Sequence, residues 1–496
     1  MSSGEEMKNL RAHIVVVGGG GAGMAAARAA AEKGARVIVL EKHGPGGSSA
    51  MAFGIYASES NVQKRLKIHG SNDDFFRDIM EWSHWRINPL IVRAIIEKSA
   101  DTIRWLEEKG LEFDCLPYIS YPGEQENPTW HVPVGGGAAL VKSLVQTSES
   151  LGVHILKQSP AKKILVSKSG EITGVLAETK GQEFIVKTGC VIIATGGFGG
   201  NKELLRKYCP EYKDNTLCFG ILNMGEGLSM ATELGAATEG LGNLMMMGPL
   251  TFGMLATTVG TPPDTKRLIL QMQSLMDRRS LWVNKLGKRF IDESLFNHHI
   301  MSHTVARQPE AFAYTILDSK LACVIASEQE HPSAVQMPRG FHGGPRRLSA
   351  EEAERYKDPL KISDSWEEIA QWIGADAGVL KTTVDEYNAA CEKGYDTLLG
   401  KDRQYLISLR TPPYYVIRWY PVFSNTSGGI KVSENMEVVN QENRPILGVY
   451  AAGVDTGGWT SESYCIKLSG WAFGYAVNSG RIAGENAVEY IKSLAK

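Results

Sequence analysis

The chain has 496 residues, 43% hydrophobic and 22% charged, an ordinary globular composition with room for more than one core that excludes a wholly disordered, collagenous or coiled-coil protein. Its 53 Lys and Arg against 55 Asp and Glu leave a net charge of −2, so nothing supplies the basic field that a nucleic-acid backbone requires. The 7 cysteines fall in no C-x-x-C spacing, Met1 to Arg11 lacks the apolar run of a signal peptide, and no window is a membrane span, so the reading is a cytoplasmic protein without a metal centre.

In chain order, the apolar run Ile14 to Val17 predicts a strand, Met24 to Lys33 a helix stopped by Gly34, and Arg36 to Leu40 a second strand. Between them Gly18, Gly20 and Gly23 fit G-x-G-x-x-G, with Gly21 and Ala22 inside the motif. Gly18 permits the tight turn, Gly20 lets a pyrophosphate approach the backbone, and Gly23 lets helix and strand pack closely. Glu41, 18 residues beyond Gly23, ends the second strand, where a carboxylate accepts from both ribose hydroxyls and repels a 2′-phosphate. The unit predicts dinucleotide binding.

Further along, Trp130-His131-x-Pro133-x-Gly135-Gly136-Gly137 predicts a phosphate-side loop leading into a helix, in which His131 is structural or functional. Lys162 to Val166 and Ile172 to Glu178 predict an antiparallel pair, and Cys190 to Ala194 a buried strand. From Glu239 to about Pro413 the pattern changes to Met-rich stretches, long loops and amphipathic helices at Ser365 to Ile373 and Gly378 to Lys393. Glycine-led signals return from Ser427 to Ala487, which predicts one domain interrupted by an inserted one.

Several segments carry a family resemblance. Glu41-Lys42 followed by Gly46-Gly47-Ser48-Ser49 and Ala52-Phe53-Gly54-Ile55 is similar to an E-K-x-x-x-x-G-G-[NST]-[ST] segment, and Ala194-Thr195-Gly196-Gly197-Phe198 to an A-T-G-G-F strand end. Gly225-Glu226-Gly227 with Met230-Ala231, Val283-Asn284 with Gly287 and Arg289-Phe290, Tyr450-Ala451-Ala452-Gly453, and Gly480-Arg481-Ile482-Ala483-Gly484 follow in order. Together they resemble the flavoprotein family of soluble fumarate reductases, succinate dehydrogenase flavoprotein subunits and 3-ketosteroid dehydrogenases. The resemblance implies an α/β fold, a Rossmann-type FAD-binding domain at 1–240 and 425–496 interrupted by an inserted α+β cap domain at 241–424. It also implies FAD held by the residues named from Gly18 to Ser49, by Gly54, Ala194, Thr195, Gly196 and Gly453, and by Leu468 and Ser469. The family's covalent members attach flavin through a histidine, and Gly46 to Gly54 holds none, so the FAD is expected to be non-covalent.

Family members reduce or form an activated C=C bond by hydride transfer with flavin N5, exchanging electrons with a separate donor or acceptor. The resemblance places the two histidines and two arginines that clamp a dicarboxylate at Gly248, Asn425, Asn297 and Lys467, and all four differ here. The expectation is therefore a small-molecule substrate other than a dicarboxylate, of cyclic or aromatic size, in a pocket of Met247, Gly248, Asn297, Asn425 and Gly429. Met245 and Met246 add soft apolar surface that also suits plain core filling. Candidate proton donors or carbonyl polarisers are Tyr464, Lys467, His298 and His299, with Tyr118, Tyr121 and Arg278 behind them. Two rivals remain: a 3-ketosteroid-type dehydrogenase, and a flavin-bearing electron-transfer protein without turnover of its own.

Overall fold

The computed structural model describes residues 10–118, 127–250, 277–295, 298–328, 359–465 and 467–494. Its first sheet has the strand order Glu437–Val439, Pro445–Ala451, Val191–Ile193, Ile14–Val17, Val37–Leu40, His154–Leu156. All neighbours are parallel except the edge strand Glu437–Val439. Every residue of Ile14–Val17 and Val37–Leu40 is buried, the unbroken apolar run that a sheet covered on both faces requires.

Helix Gly21–Glu32 starts earlier than the expected Met24, because the glycine turn itself begins to wind at Gly21. It packs against the last helix, Trp471–Leu494, at backbone contact. A Cβ on Gly480 would sit 2.1 Å from the Ala22 carbonyl oxygen, and one on Gly484 2.4 Å from that of Ala26. The G-R-I-A-G run is thus a close-packing device, and it draws the C-terminal helix onto the first βαβ unit.

The second sheet gathers Leu217–Cys218, Leu244–Leu250, Leu281–Asn284, Ala313–Asp318 and Leu360–Ser363 around the long strand Tyr414–Thr426. Its first strand precedes the expected cap start at 241, and its longest strand runs through position 425. The amphipathic helices lie at Trp366–Ile373 and Ala377–Lys393, capped by Ser365 and Asp376 and stopped by Gly374 and Gly394 in the left-handed conformation. Their apolar faces meet Leu281, Val283, Tyr314 and Val416 in a core separate from that of the first sheet. A closed charge cluster underpins the hairpin at Leu281–Asn284: Arg289 lies 2.8 Å from Glu293 and 2.9 Å from Asp396, and Lys401 lies 3.4 Å from Glu293. All four side chains are buried, so each charge depends on the others. Among the described residues no helix is long and apolar enough to cross a membrane.

The expected antiparallel pair is present as Ala161–Val166 and Ile172–Thr179, joined by a third strand, Gln182–Lys187. The Trp130 to Pro133 stretch differs from the expected loop: it is part of strand Asn127–Pro133, and Gly135 and Gly136, at φ +86° and +67°, turn the chain into helix Gly136–Ser150. His131 is fully buried in that strand. Its Nδ1–H donates to the Thr129 carbonyl at 3.0 Å, and its Nε2 accepts from the Ser60 hydroxyl at 2.6 Å. The ring is structural and neutral, burial depressing its pKa from 6.5 to about 4.

A folded-state pKa below the unfolded one gives stability that is present above about pH 6.5 and lost as pH falls toward 4. The loss amounts to about 3 kcal/mol. In urea unfolding, the stability advantage of the parent over His131→Asn is expected to shrink by about that amount between pH 7 and pH 4. A pH-independent difference contradicts the neutral-ring assignment.

Candidate active site

A cavity of about 440 Å³ opens at the carboxyl ends of Ile14–Val17, Val37–Leu40 and Val191–Ile193, where parallel α/β sheets place their ligands. Gly18, at φ +107°, lies so close to the neighbouring strand end that a Cβ would stand 2.2 Å from the Ala194 carbonyl oxygen. The helix then begins at Gly21 with Gly20 as an N-cap that offers no side chain, so the first helical turn meets the cavity as bare backbone. The Ser49 hydroxyl accepts from the Gly21 N–H at 3.1 Å. The Glu41 carboxylate is aimed by two backbone donors, Gly19 N–H at 2.6 Å and His43 N–H at 2.8 Å. Lys42 pairs with Glu226 at 2.5 Å.

Asp455, absent from the expected set, holds this region together. One carboxylate oxygen accepts from Gly197 N–H at 2.9 Å and the Thr195 hydroxyl at 3.0 Å. The other accepts from Gly196 N–H at 3.0 Å and from Thr195 N–H. Burial pushes its pKa up, and these four donors oppose that shift. The available signal was a carboxylate two residues after Tyr450-Ala451-Ala452-Gly453, among small and apolar neighbours.

Of the residues expected at the cofactor, Gly18, Gly20, Gly21, Ala22, Glu41, Lys42, Gly47, Ser48, Ser49, Gly54, Ala194, Thr195, Gly196 and Gly453 line the cavity. Gly23, Gly46, Leu468 and Ser469 are not brought to its wall. Gly23 packs on Gly18, where a Cβ would lie 1.9 Å from the carbonyl oxygen, and the Gly46 N–H donates to the Gly19 carbonyl at 2.9 Å. Leu468 and Ser469 are buried in the turn before the last helix.

In the expected substrate set, Met247 and Asn425 line the cavity beside Met245, whereas Met246 turns into the core. Gly248 is not on the wall, and Gly429 packs against Asp455, where a Cβ would lie 2.0 Å from the carbonyl oxygen. Asn297 lies outside the described residues, as do Tyr121 and the side chains of Tyr118 and His298.

Among the proton-donor candidates, Tyr464 lines the cavity, and its Oη accepts from the Ala472 N–H at 3.0 Å, in the first turn of Trp471–Leu494. The His299 ring lies 5.3 Å from the Tyr464 ring, and its Nδ1–H donates to the Met246 carbonyl. Lys467 corrects the expectation: its ammonium is half-exposed and 3.0 Å from Asp78, away from the cavity wall, and that carboxylate holds its pKa above the ordinary lysine value. Arg278 donates to the Tyr405 hydroxyl at 2.9 Å and is not on the wall. Among the described residues lining the cavity, Lys42 is the sole Lys or Arg. No group of three or more His, Cys, Asp or Glu among the described residues is placed to hold a metal ion.

The profile of the family described as FAD binding domain matches residues 13–463. The chain is 30% identical over 471 residues to a vinyl phenol reductase of Lactiplantibacillus plantarum, covering 93% of each chain. It is 28% identical to a urocanate reductase of Eggerthella lenta, over 92% of this chain and 71% of that one. Among solved structures, the open conformation of a flavocytochrome c3 fumarate reductase superposes with a TM-score of 0.73 at 26% identity, covering 98% of this chain and 80% of that one. The 3-ketosteroid-Δ4-(5α)-dehydrogenase of Rhodococcus jostii shares the fold, with a TM-score of 0.72 at 24% identity over 97% of both chains.

Asp455→Asn turns an acceptor oxygen into an N–H donor that faces backbone N–H groups, at a cost of roughly 1.5–3 kcal/mol. The variant is expected to unfold at lower temperature and to lose flavin on gel filtration. Flavin retention and melting equal to the parent would show that the carboxylate is dispensable.

Proposed function

The chain belongs to the FAD binding domain family, and from that premise we propose that it reduces a C=C bond conjugated to an uncharged, aromatic-sized group, with Tyr464 giving the proton. It is an FAD-dependent oxidoreductase of the class that acts on CH–CH bonds. The residues present fit FAD: a glycine cradle that a Cβ would fill at Gly18, a helix N-terminus without a side-chain cap, and a carboxylate at the end of the second strand. In this reading Gly20 to Ala22 with Ser48 and Ser49 take the pyrophosphate, and Glu41 takes the ribose hydroxyls. The described residues of 1–240 and 425–496 form the FAD-binding unit, except that strand Leu217–Cys218 and the end of strand Tyr414–Thr426 join the second sheet; the described residues of 241–424 form the cap, and a separate donor supplies electrons. The FAD is held without a covalent link, supported by the lack of histidine from Gly46 to Gly54. Bound FAD supplies the hydride; the protein supplies orientation and the proton.

The observation that carries the substrate class is the charge of the wall. A dicarboxylate needs charge-assisted partners worth roughly 1.5–3 kcal/mol per hydrogen bond. The sole described Lys or Arg on the wall, Lys42, is committed to Glu226 and follows Glu41 directly, at the ribose end. Together with Tyr464 the wall includes Met245, Met247 and the neutral amide of Asn425, which suit a planar, polarisable ring. The vinyl phenol reductase relative, similar over 93% of its length, is named for such a substrate.

Tyr464 is suited to its role by its acceptor bond. The Ala472 N–H and the helix N-terminus behind it stabilise the phenolate left when the proton departs.

With a reduced dye as donor, vinyl phenol is expected to turn over with the highest kcat/KM in a panel that also contains a steroid enone, urocanate and fumarate. Fumarate is expected below about 1 s⁻¹. Turnover of none of them would favour an electron-transfer protein, and preference for fumarate would refute the neutral-site reading. Tyr464→Phe should slow flavin reoxidation by substrate roughly 10²–10⁴-fold with the flavin spectrum unchanged.

A further inference from the structure

The mouth of the cavity has two lips that come from distant parts of the chain. One is Lys42 to Gly44, exposed residues that follow Glu41 and line the cavity. The other is the irregular strap 219–225, between strand Leu217–Cys218 and helix Glu226–Glu233. Phe219, Gly220, Ile221, Leu222 and Asn223 of the strap line the cavity, and Leu222 is exposed to solvent as well. The lips meet through the Lys42 ammonium and the Glu226 carboxylate, 2.5 Å apart across 184 positions of sequence. Both residues line the cavity, and their side chains are 44% and 38% exposed, so the ion pair stands at the solvent end of the wall.

The backbone of the strap has little freedom. A Cβ on Gly220 would stand 2.0 Å from the Ser424 carbonyl oxygen, and the Ile221 N–H donates to the Ser48 hydroxyl at 3.4 Å. Further along, the Asn223 amide donates to the Gly196 carbonyl at 2.7 Å, and the Asn201 amide donates to the Met224 carbonyl at 3.0 Å. Glu226 is fixed too, because it opens its helix, where the dipole favours a carboxylate, and its second oxygen accepts from the Met224 N–H at 3.3 Å. Lys42 differs. Its flexible four-carbon stem is part-exposed, and Glu226 is the one polar partner of its ammonium among the described residues. Opening the mouth at this point therefore requires the lysine arm to leave the carboxylate and no rearrangement of the backbone.

We propose that Lys42 and Glu226 form a latch over the FAD site, an ion pair that must part for the cofactor to enter or to leave. The inference rests on the reading that FAD occupies this cavity with its ribose at Glu41. The latch gives Lys42 a role other than contact with the cofactor: it governs how fast FAD exchanges, not how tightly it is held. A gate that must open in both directions slows uptake and release by the same factor. A side chain that touches FAD directly slows release alone. Because the pair is part-exposed, the factor is modest, roughly 2–5-fold.

The test compares Glu226→Gln, Lys42→Met and the double variant with the parent, after melting temperatures have shown that each folds. Release from the FAD-loaded protein is followed by the rise in flavin fluorescence on dilution. Uptake is followed by the loss of that fluorescence when protein freed of its cofactor is mixed with FAD. Each single substitution is expected to speed release and uptake alike, roughly 2–5-fold, and to leave Kd within about twofold of the parent. The double variant is expected to be no faster than either single one, because both substitutions break the same pair. Faster release with unchanged uptake, and a Kd weakened to match, would show that these side chains hold FAD directly and overturns the latch. Unchanged rates in all three variants overturn it as well. A parent protein that takes up no FAD would instead refute the cofactor reading itself, a result separate from any behaviour of the variants.

Discussion

The carboxylate of Asp455 is the constraint on which the site depends. It ties a turn at Thr195 to Gly197 to a residue about 260 positions later, and so fastens two segments that each follow a central strand of the first sheet. A buried carboxylate is tolerable only where its lone pairs are engaged, and here backbone N–H groups and a hydroxyl engage them. Those donors belong to glycines that can turn sharply and to a threonine whose own oxygen also receives the Gly227 N–H. The floor of the cavity follows from that one side chain.

Closure of the chain on itself supplies the rest. The C-terminal helix reaches the first helix because Gly480 and Gly484 allow backbone contact with Ala22 and Ala26. That contact also brings the helix N-terminus, and with it the Ala472 N–H, to the Tyr464 hydroxyl. Packing and electrostatics are therefore joined: the glycines needed for helix approach also bring the N-terminal end of that helix to the phenol. The second sheet contributes Met245 and Met247 to the wall, and the buried Arg289, Glu293, Asp396 and Lys401 cluster pairs its charges away from the cavity lining.

Much of this was legible in the sequence because it rests on local rules. Continuous apolar runs gave buried parallel strands, and glycines at set spacings gave the cradle, since both depend on neighbours within a few residues. What escaped depended on partners far away. Asp455 gains its role from a turn about 260 residues earlier, and Lys467 is drawn outward by Asp78, a residue 389 positions away. The three consecutive methionines could not be sorted by composition. Strand alternation sends Met245 and Met247 to the cavity and Met246 to the core, and a register shift between Leu244 and Met246 sets which face is which. The Trp130 to Pro133 segment reads as a loop from its prolines and glycines, yet pairing with Phe113–Tyr118 makes it a strand.

The central claim is that the wall around Tyr464 selects an uncharged ring over a dicarboxylate, and equilibrium binding to the oxidised FAD-loaded protein tests it most directly. Titrating vinyl phenol and fumarate while following the flavin difference spectrum is expected to give a Kd at least about 100-fold lower for the neutral arene, because the sole Lys or Arg among the described wall residues, Lys42, is committed to Glu226. Fumarate binding as tight as, or tighter than, vinyl phenol would contradict the account.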